Sequence, residues 1–176
     1  GKSFNALNIA MSYAQLGRKT ILLDFDFRKP SGFFSREGEA LIGLSSYYME
    51  KVGLEDIILN SPHPKLDYIP SGPIPPNPVE LLALDKSKEL ITELKSDYDC
   101  IVMDTTPLAQ VTDAFLLMDF ANIKVIVVRY NFTNKKVFSL IMKDLKLKSI
   151  DNACVLMNDN HVFRDQYGYG YGYGKK

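Results

Sequence analysis

The stretch GKSFNALNIAMSYAQLGRKTILLDFDFRKP, residues 1–30, decides the predicted fold. Apolar side chains recur at helical spacing in its first half, which predicts a helix from Ser3 to Leu16, and Gly17 follows where helices commonly end. The run from Thr20 to Asp24 is short, apolar and rich in branched residues, as is typical of a buried strand. A helix that leads directly into a buried strand is the first unit of an α/β pattern.

The rest of the chain continues this alternation. Helical patterns lie around Leu90 and after a predicted cap at Thr133 or Asn134. Because the strand-like runs are apolar throughout, the strands need helices on both sides. The sequence therefore predicts an α/β fold: a doubly wound, mainly parallel sheet with helices on both faces and its ligand site at the carboxyl ends of the strands. The further predicted strands are Leu66 to Pro70, Cys100 to Asp104, Ile123 to Arg129 and Asn152 to Asn158.

Two other segments carry weaker signals. The proline-rich stretch PSGPIPPNP, residues 70–78, is either a linker or the entry to a helix capped by Asn77, with Pro78 in the first helical position. We favour the helix entry, with a second helix after it. Two more helices are predicted, from Ser45, as the cap, to Val52 and from Leu54 to Leu59.

The composition suits one ordinary domain with a substantial core. The chain has 176 residues, 46% of them hydrophobic, and its 21 basic and 21 acidic side chains cancel. Nucleic-acid binders usually carry a basic excess that neutralises phosphates, so this balance argues against a nucleic-acid partner. Cys100 and Cys154 lie in apolar runs and form no CxxC pair, which predicts buried thiols in a reducing compartment.

The predicted domain boundary lies near Asn160. Residues 1–160 are expected to form the folded body and residues 161–176 a flexible, tyrosine-rich tail, because alternate glycines leave the tail backbone too much freedom for a packed element. The chain opens without an initiator Met, inside a motif that looks like a phosphate loop. We therefore expect the first half of that loop and the strand before it to be missing from the sequence.

Gly1, Lys2 and Ser3 match the end of the phosphate-loop pattern GxxxxGK[ST] at the point where it opens a helix. In such a loop the backbone amides and the helix dipole hold phosphate, the lysine reaches the outer phosphates and the serine binds magnesium. Three residues alone also fit an ordinary surface turn, so the interpretation depends on what lies nearby.

Three carboxylates are predicted to lie near this motif. Asp24 ends one strand, Asp26 follows two residues later, and Asp104 ends another strand. The carboxyl ends of parallel strands share one edge of a sheet, so all three can face one site. Carboxylates beside a phosphate loop suit a hard divalent cation, bound directly or through its waters. The alternative is that they cap helices or lie in surface loops.

The tail alternates tyrosine with glycine, so four hydroxyl groups lie on one pliable tether. An incidental sticky tail is one interpretation, but phosphate acceptors are the better one beside a nucleotide site. Each phosphate adds about −1.5 to −2 charge, so four would add roughly −6 to −8 to a neutral domain. The predicted acceptors are Tyr167, Tyr169, Tyr171 and Tyr173.

Together these motifs resemble the bacterial tyrosine kinases (BY-kinases) of capsule and exopolysaccharide export, which are related to MinD/ParA-type P-loop ATPases. The resemblance rests on GKS, ILLDFDFRKP, GPIPPNPVELL, CIVMDTTP, VTDAFLL, IVVR and the tyrosine-rich C-terminus. One departure is Thr106, which stands where the family usually has the first proline of DTPP. The resemblance implies a P-loop NTPase-like fold and ATP-dependent autophosphorylation of the tail, mostly between neighbouring subunits of a ring.

The resemblance also implies roles for single residues. Lys2 would hold the β- and γ-phosphates of ATP, and Ser3 would ligate Mg²⁺. Asp24 and Asp104 would support the ion and its waters, and either Asp24 or Asp26 would be the base that accepts the tyrosyl proton. The implied catalytic residues are Lys2, Asp24, Asp26 and Asp104, the metal-binding residues are Ser3, Asp24 and Asp104, and the ATP-binding residues are Gly1, Lys2, Ser3 and Asn158.

Two predicted strand ends admit more than one role. Arg129 and Asn158 stand where related ATPases place contacts to the base or the ribose. A salt bridge or a turn explains each of them equally well, so Asn158 is the weakest of the expected site residues.

Partners and location follow from the resemblance alone. It implies a ring-like homo-oligomer, a membrane chain-length regulator or activator in the same or a separate chain, a cognate tyrosine phosphatase, and the cytoplasmic face of the bacterial inner membrane. Two other functions stay open: a MinD/ParA-like ATPase switch that controls dimerisation and partner binding without tyrosine phosphorylation, and a scaffold that binds nucleotide only to order itself. The tyrosine tail argues against the switch, which has no use for it.

Overall fold

The computed structural model describes residues 1–33, 42–82, 85–108 and 113–160. Helices and strands alternate along these ranges, and none of the described helices is long and apolar enough to cross a membrane. The helices are α1 (Lys2–Gln15), α2 (Leu44–Tyr48), α3 (Pro78–Leu82), α4 (Lys86–Asp97), α5 (Asp113–Met118) and α6 (Lys135–Leu147). The strands are β1 (Thr20–Asp24), β2 (Leu59–Asn60), β3 (Leu66–Ile69), β4 (Cys100–Asp104), β5 (Lys124–Arg129) and β6 (Ala153–Asn158).

The strands form two sheets within the described residues. The larger sheet has the order β2-β3-β1-β4, in which β1 is parallel to β3 and β4, and β2 is antiparallel at the edge. The smaller sheet pairs β5 with β6 in parallel. The predicted α/β class with a mainly parallel sheet is confirmed. The division into two sheets was not predicted, and the helix expected over Leu54 to Leu59 is instead a 3₁₀ turn, Glu55–Ile57, that leads into β2.

The central strand β1 is buried along its whole length, and its side chains serve two cores. Leu22 packs with Ala10 and Ala14 of α1 on one face of the sheet. Ile21 and Leu23 belong to the core on the other face, which includes α4. Each leucine-sized side chain buried in this way contributes about 2 kcal/mol. Helices therefore cover both faces, and the small alanines let α1 lie close to the strands.

Most predicted helix boundaries agree with the structure. Gly17 follows α1 with a φ of 83°, in the left-handed region that favours glycine. Pro78 is the first residue of α3, and α4 follows as the second helix of that segment. The Asn134 side chain caps α6 by accepting hydrogen bonds from two amides of its first turn. The Asn77 side chain, in contrast, donates to the Glu80 carboxylate at 2.7 Å.

The helix predicted from a Ser45 cap to Val52 is wrong at both ends, because the structure has a shorter helix, Leu44–Tyr48. α2 begins after Gly43, and Ser45 lies inside its first turn. Ser45 anchors the loop after β3 instead: its amide donates to the Ser71 carbonyl oxygen at 2.9 Å, and its hydroxyl donates to that of Pro73 at 2.7 Å. Both partners lie more than 25 residues after Ser45 in the sequence, so a local capping pattern cannot reveal them.

Gly43 and Gly72 pack against each other where α2 meets the loop after β3. A Cβ added at Gly43 would collide with the Pro70 carbonyl oxygen and lie 2.5 Å from the Gly72 amide nitrogen. A Cβ added at Gly72, whose φ is 77°, would lie 2.7 Å from Ser45 Oγ and 2.9 Å from the Gly43 amide nitrogen. Both positions therefore require glycine because backbone approaches backbone.

Strand β6 is more exposed than its apolar sequence predicts. It is the edge of a two-stranded sheet, and Val155 and Met157 are 47% and 56% exposed. Within the described chain, the small core beside this sheet centres on Ile126 of β5 and takes no side chain from β6. The prediction of two buried thiols is therefore wrong, since Cys154 is exposed and Cys100 is half-buried.

Candidate functional site

The carboxyl ends of β1 and β4 bring two of the predicted site residues together. Asp24 and Asp104 are register partners in these neighbouring parallel strands, and each one ends its strand. The Phe25 amide donates to the Asp104 carbonyl oxygen at 2.8 Å, so the pairing continues past the strand ends. The two carboxyl-bearing residues are 1% and 4% exposed. The expected proximity of these two acids is thus observed, at a site largely shielded from water.

The first turn of α1 lies against Asp104. The Ser3 hydroxyl and the Lys2 charge both lie close enough to the Asp104 carboxyl to favour its ionised form. Burial, together with the charges of Asp24 and Asp26, nevertheless raises the pKa of Asp104 to about 6. Asp104 Oδ2 is buried and has no hydrogen-bond partner among the described residues. A buried carboxylate oxygen in this state is well suited to accept an external ligand.

Asp24 is already engaged by its surroundings. Its Oδ1 accepts a hydrogen bond from the Asp26 amide at 3.1 Å. Its Oδ2 accepts the amide and the hydroxyl of Ser31, both at 2.7 Å, and the Tyr68 hydroxyl at 3.4 Å. Burial raises the pKa of Asp24, and the hydrogen bonds from Ser31 and Asp26 oppose that rise. The Asp24 side chain therefore holds the loop of residues 25–31 in place.

Asp26 organises the next turn of the same loop. Its Oδ1 accepts the amides of Arg28 at 3.2 Å and Lys29 at 2.9 Å. No donor in the described part of the chain reaches its Oδ2, although the residue is only 7% exposed. Of the two carboxylates in the DFD sequence, Asp26 thus keeps one oxygen available.

The three acids do not form a metal cage by themselves. Among the described residues there is no group of three or more His, Cys, Asp or Glu side chains placed to hold an ion. Mg²⁺, however, usually takes few protein ligands and keeps several waters or phosphate oxygens. The Ser3 hydroxyl and Asp104 Oδ2 suit an ion bound in that way. Thr106, two residues after Asp104, adds a buried Oγ1 that has no hydrogen-bond partner among the described residues.

The end of β6 lies beside the first residue of the chain. A Cβ added at Gly1 would stand 3.0 Å from Asn158 Nδ2, so two of the expected ATP-binding residues adjoin. Arg129, at the end of β5, instead pairs with Asp159 at 2.7 Å between Nε and Oδ2. The structure therefore favours the salt-bridge interpretation of Arg129 and puts Asn158 next to the start of the loop motif.

An open groove separates β4 from β5. The facing edges of these strands have no strand partner within the described residues. A cavity of about 720 Å³ lies in this groove, an adjoining one of about 430 Å³ lies between β5 and the helices α5 and α6, and Lys2 lines both. The walls of the groove are all five residues of β4 on one side and alternate residues of β5 on the other, so each side presents a strand edge.

Three residues that shape the site were missed by sequence reasoning. Ser31 and Tyr68 donate hydrogen bonds to Asp24. Thr106, two residues after Asp104, has a buried hydroxyl. Ser31 directly follows the RKP motif, and this adjacency was the one signal that could have marked it. Tyr68 reaches Asp24 because β3 pairs with β1, and no local pattern indicates that.

Comparison with known proteins relates this site to a family. A family model described as AAA domain matches residues 1–152. Tyrosine-protein kinase YwqD of Bacillus subtilis is 36% identical over 170 residues, which cover 96% of this chain and 72% of that protein. The putative tyrosine-protein kinase CapB of Staphylococcus aureus is 41% identical over 114 residues, which cover 65% of this chain and 50% of that protein.

Solved structures show the same relationship. The chimerical protein CapA2B2 is 33% identical, with a TM-score of 0.81 over 88% of this chain and 69% of that chain. The kinase domain of Escherichia coli tyrosine kinase ETK is 28% identical, with a TM-score of 0.79 over 94% of this chain and 65% of that one. MinD of Pyrococcus horikoshii, complexed with Mg-ADP, is 20% identical and shares the fold, with a TM-score of 0.66 over 89% and 63% of the two chains.

The fold is therefore that of the P-loop NTPases related to MinD. Within this class, the chain belongs to the bacterial tyrosine-protein kinases, as the resemblance of its motifs implied. It spans 72% of the length of the Bacillus relative and half of the Staphylococcus one.

Proposed function

We propose that this chain carries an ATP-dependent autokinase that phosphorylates its own C-terminal tyrosine cluster, between neighbouring subunits, and so regulates capsular or exopolysaccharide synthesis and export. The observation that carries the proposal is the contact of the first turn of α1 with the end of β4, where Ser3 meets the buried Asp104 carboxyl beside Lys2. This combination suits a magnesium-bound triphosphate. The relatives named as tyrosine-protein kinases support tyrosine as the acceptor.

The proposed roles divide between the two sides of the site. Lys2, with the amides around Gly1, would bind the outer phosphates of ATP, and Ser3 with Asp104 would hold Mg²⁺, which neutralises charge that develops on the phosphoryl oxygens. Asp24 would act on the ion indirectly, by holding the loop of residues 25–31 in place and by orienting waters bound to the ion. Asn158 beside Gly1 would contact the nucleotide as well.

We propose Asp26, rather than Asp24, as the base. Four donors already engage the carboxyl oxygens of Asp24, whereas Asp26 Oδ2 has none from the described residues. In the transfer, the tyrosyl oxygen would attack the γ-phosphorus, ADP would leave, and the tyrosyl proton would pass to Asp26. A tyrosyl hydroxyl has a pKa of about 10, so the carboxylate would act mainly by orienting it and taking the proton late.

The groove between β4 and β5 supports the expectation of a further strand. Among the described residues, β4 and β5 each have a strand edge without a strand partner on this groove, and two such edges suit one inserted strand. We propose that the strand expected ahead of the phosphate loop occupies the groove, which would join the two sheets and set the remaining loop amides above Lys2.

We also propose that the tail is phosphorylated, that the chain forms a homo-oligomer and that it lies at a membrane. The acceptor tyrosines belong to residues 161–176, outside the described residues, so their phosphorylation is predicted from the sequence alone. A ring-like homo-oligomer, a membrane chain-length regulator or activator, a cognate phosphatase and the cytoplasmic face of the inner membrane follow from family membership. The proposed body, residues 1–160, and the tail would then be enzyme and substrate of one chain.

The proposal is tested by intact mass and tail-peptide sequencing of the full-length protein after incubation with Mg-ATP. Phosphate confined to the tail, absent in Lys2→Met and in a variant with all four tail tyrosines changed to Phe, is the expected result. Lys51→Met is the matched control, because it removes an exposed lysine outside the site. Phosphate release without added mass on the tail would instead favour the MinD/ParA-like switch, the function that the shared MinD fold keeps as a second candidate.

A further inference from the structure

Side chains from two separate elements converge on the Asp24 carboxylate. Ser31 reaches Oδ2 from the loop after β1, with its Oγ at 2.7 Å, and Tyr68 reaches the same oxygen from β3, with its hydroxyl at 3.4 Å. The two hydroxyl oxygens are 3.2 Å apart, within hydrogen-bond distance of each other. Asp24 Oδ2 and the two hydroxyl oxygens therefore form a triangle of polar atoms, and the two hydroxyl hydrogens can satisfy two of its three sides at a time.

Packing fixes the Tyr68 ring, and so its hydroxyl. The residue is 1% exposed and belongs to the apolar cluster between α1 and the sheet, together with Leu22, its register partner in β1. Phe33 packs edge-on against the ring, with the centroids 6.4 Å apart. A buried tyrosine usually directs its hydroxyl to a polar partner, and here the ring position aims it at the end of β1.

The triangle is linked to the proposed base. Asp24 Oδ1 accepts the Asp26 amide, and Asp24 Oδ2 accepts the Ser31 amide at the far end of the same loop. The orientation of the Asp24 carboxylate therefore sets both ends of the loop that carries Asp26. Tyr68 is absent from the walls of the two cavities that contain Lys2, so its hydroxyl acts on the site through Asp24.

We propose that Tyr68 is a positioning residue for phosphoryl transfer: with Ser31, it fixes the Asp24 carboxylate and thereby the loop of residues 25–31. The effect on catalysis rests on the proposed function, whereas the effect on the loop rests on the hydrogen bonds alone. Loss of the hydroxyl should accordingly loosen the loop with or without ATP, and it should lower turnover more than it changes ATP binding.

The variants are Tyr68→Phe, Ser31→Ala and the double variant, made in the full-length protein. Tyr98→Phe is a matched control, because the half-buried Tyr98, which precedes the amino end of β4 while Asp104 ends that strand, also donates from its hydroxyl to a carboxylate, Asp67 Oδ2 at 2.8 Å. Tyr68→Phe and Tyr98→Phe each remove one tyrosyl hydroxyl and keep the ring. Thermal unfolding of all variants shows that they are folded before they are compared.

The first readout is amide hydrogen exchange without nucleotide. In Tyr68→Phe, we expect protection of peptides from residues 25–31 to fall about tenfold, while Tyr98→Phe leaves this loop at the wild-type rate. Ser31→Ala should have the same effect on the loop, and the double variant should lose less than the sum of the single losses, because the two hydroxyls share one partner. Unchanged exchange of the loop in a folded Tyr68→Phe protein would overturn the proposal.

The second readout is steady-state autophosphorylation. Tyr68→Phe should lower kcat about tenfold, with the KM for ATP within about twofold of wild type, while Tyr98→Phe keeps both constants. An equal loss in the two Phe variants, or a change in KM alone, would also overturn it. A wild-type protein that transfers no phosphate would refute the proposed function instead, and hydrogen exchange would still decide whether Tyr68 holds the loop.

Discussion

Asp24 and Asp104 face each other as register partners at the ends of β1 and β4, and burial raises the pKa of both carboxyls. The charge of Asp24 adds to the rise at Asp104. Two acids held side by side in a site with little water are less stable as a pair of anions than either would be alone. A bound cation would relieve this repulsion. The paired carboxylates therefore destabilise the protein without a cation and favour the binding of magnesium.

Replacing Asp104 should therefore have opposite effects on stability and on activity. Asp104→Asn removes a buried charge, and we expect the free energy of unfolding at pH 7 without nucleotide to rise by about 1 to 2 kcal/mol. Autophosphorylation should fall at least about 100-fold, because the ion loses its carboxylate. Urea denaturation and tail phosphorylation measure the two effects. Asp56→Asn, at an acid outside the site, is the control, and a destabilised Asp104→Asn protein would contradict this account.

The difference in unfolding free energy between wild type and Asp104→Asn should depend on pH with a definite sign. In the folded protein the pKa of Asp104 is about 6, above the ordinary value of 3.8 that applies to the unfolded chain. The native state thus binds more protons between these values, and wild-type stability is lost as pH rises through this window. Urea unfolding of wild type and Asp104→Asn, with chelator and without nucleotide, should diverge from near equality at about pH 4 to a full difference above about pH 6. A difference that shrinks as pH rises would have the wrong sign.

Thr106 offers a test of the partnerless hydroxyl next to this site. Thr106 is 2% exposed and its Oγ1 has no hydrogen-bond partner in the part of the chain that the structure describes, so Thr106→Val should stabilise the nucleotide-free protein by about 1 kcal/mol. The same substitution at Thr20 provides the control, because Thr20 is fully buried and its Oγ1 donates to the Arg18 carbonyl oxygen at 3.0 Å. Thr20→Val should destabilise the protein by about 1 kcal/mol. Chemical denaturation of both variants measures the two changes in unfolding free energy. Changes of the same sign would contradict the assignment of Thr106 Oγ1 as a hydroxyl without a partner.

The contact between α2 and the loop after β3 predicts a large effect of one methyl group. Gly43→Ala places a Cβ against the Pro70 carbonyl oxygen, and we expect it to cost about 2 to 3 kcal/mol of unfolding free energy. Gly53→Ala is the matched control, because its Cβ would lie 3.4 Å from Asp56 Oδ2, an ordinary contact, and should change stability by less than about 0.5 kcal/mol. Thermal and urea unfolding distinguish the two. Similar losses in both variants would show that the backbone at Gly43 can move.

Sequence patterns were informative where structure depends on neighbours along the chain. β1 and β4 are runs of apolar residues that end in an acid, so both their class and the proximity of Asp24 to Asp104 could be predicted. The cap of α6 at Asn134 is equally local, because the donors are amides two and three residues later. Parallel pairing then brings local features together at one edge of the sheet.

Patterns failed where the partner is distant in sequence. The Tyr68 hydroxyl meets Asp24 across 44 residues, and Ser45 finds the Pro73 carbonyl oxygen across 28. Each of these side chains suggested only its local role, as a strand residue or a cap. Cys154 failed for a related reason, because burial of an apolar strand depends on which elements cover it.

The close packing of Gly43 against Gly72 also bears on how natural variation in this protein would be interpreted. Gly72 opens GPIPPNP, a motif that could be taken for a ligand loop, yet the contacts that forbid a side chain there are Ser45 Oγ and the backbone of Gly43. In a library selected for folded protein alone, both positions should keep glycine even if nucleotide is never supplied. A second substitution could not rescue the first, since each new methyl group would meet main chain. Invariance at these two sites would then reflect two backbones in contact and carry no information about catalysis.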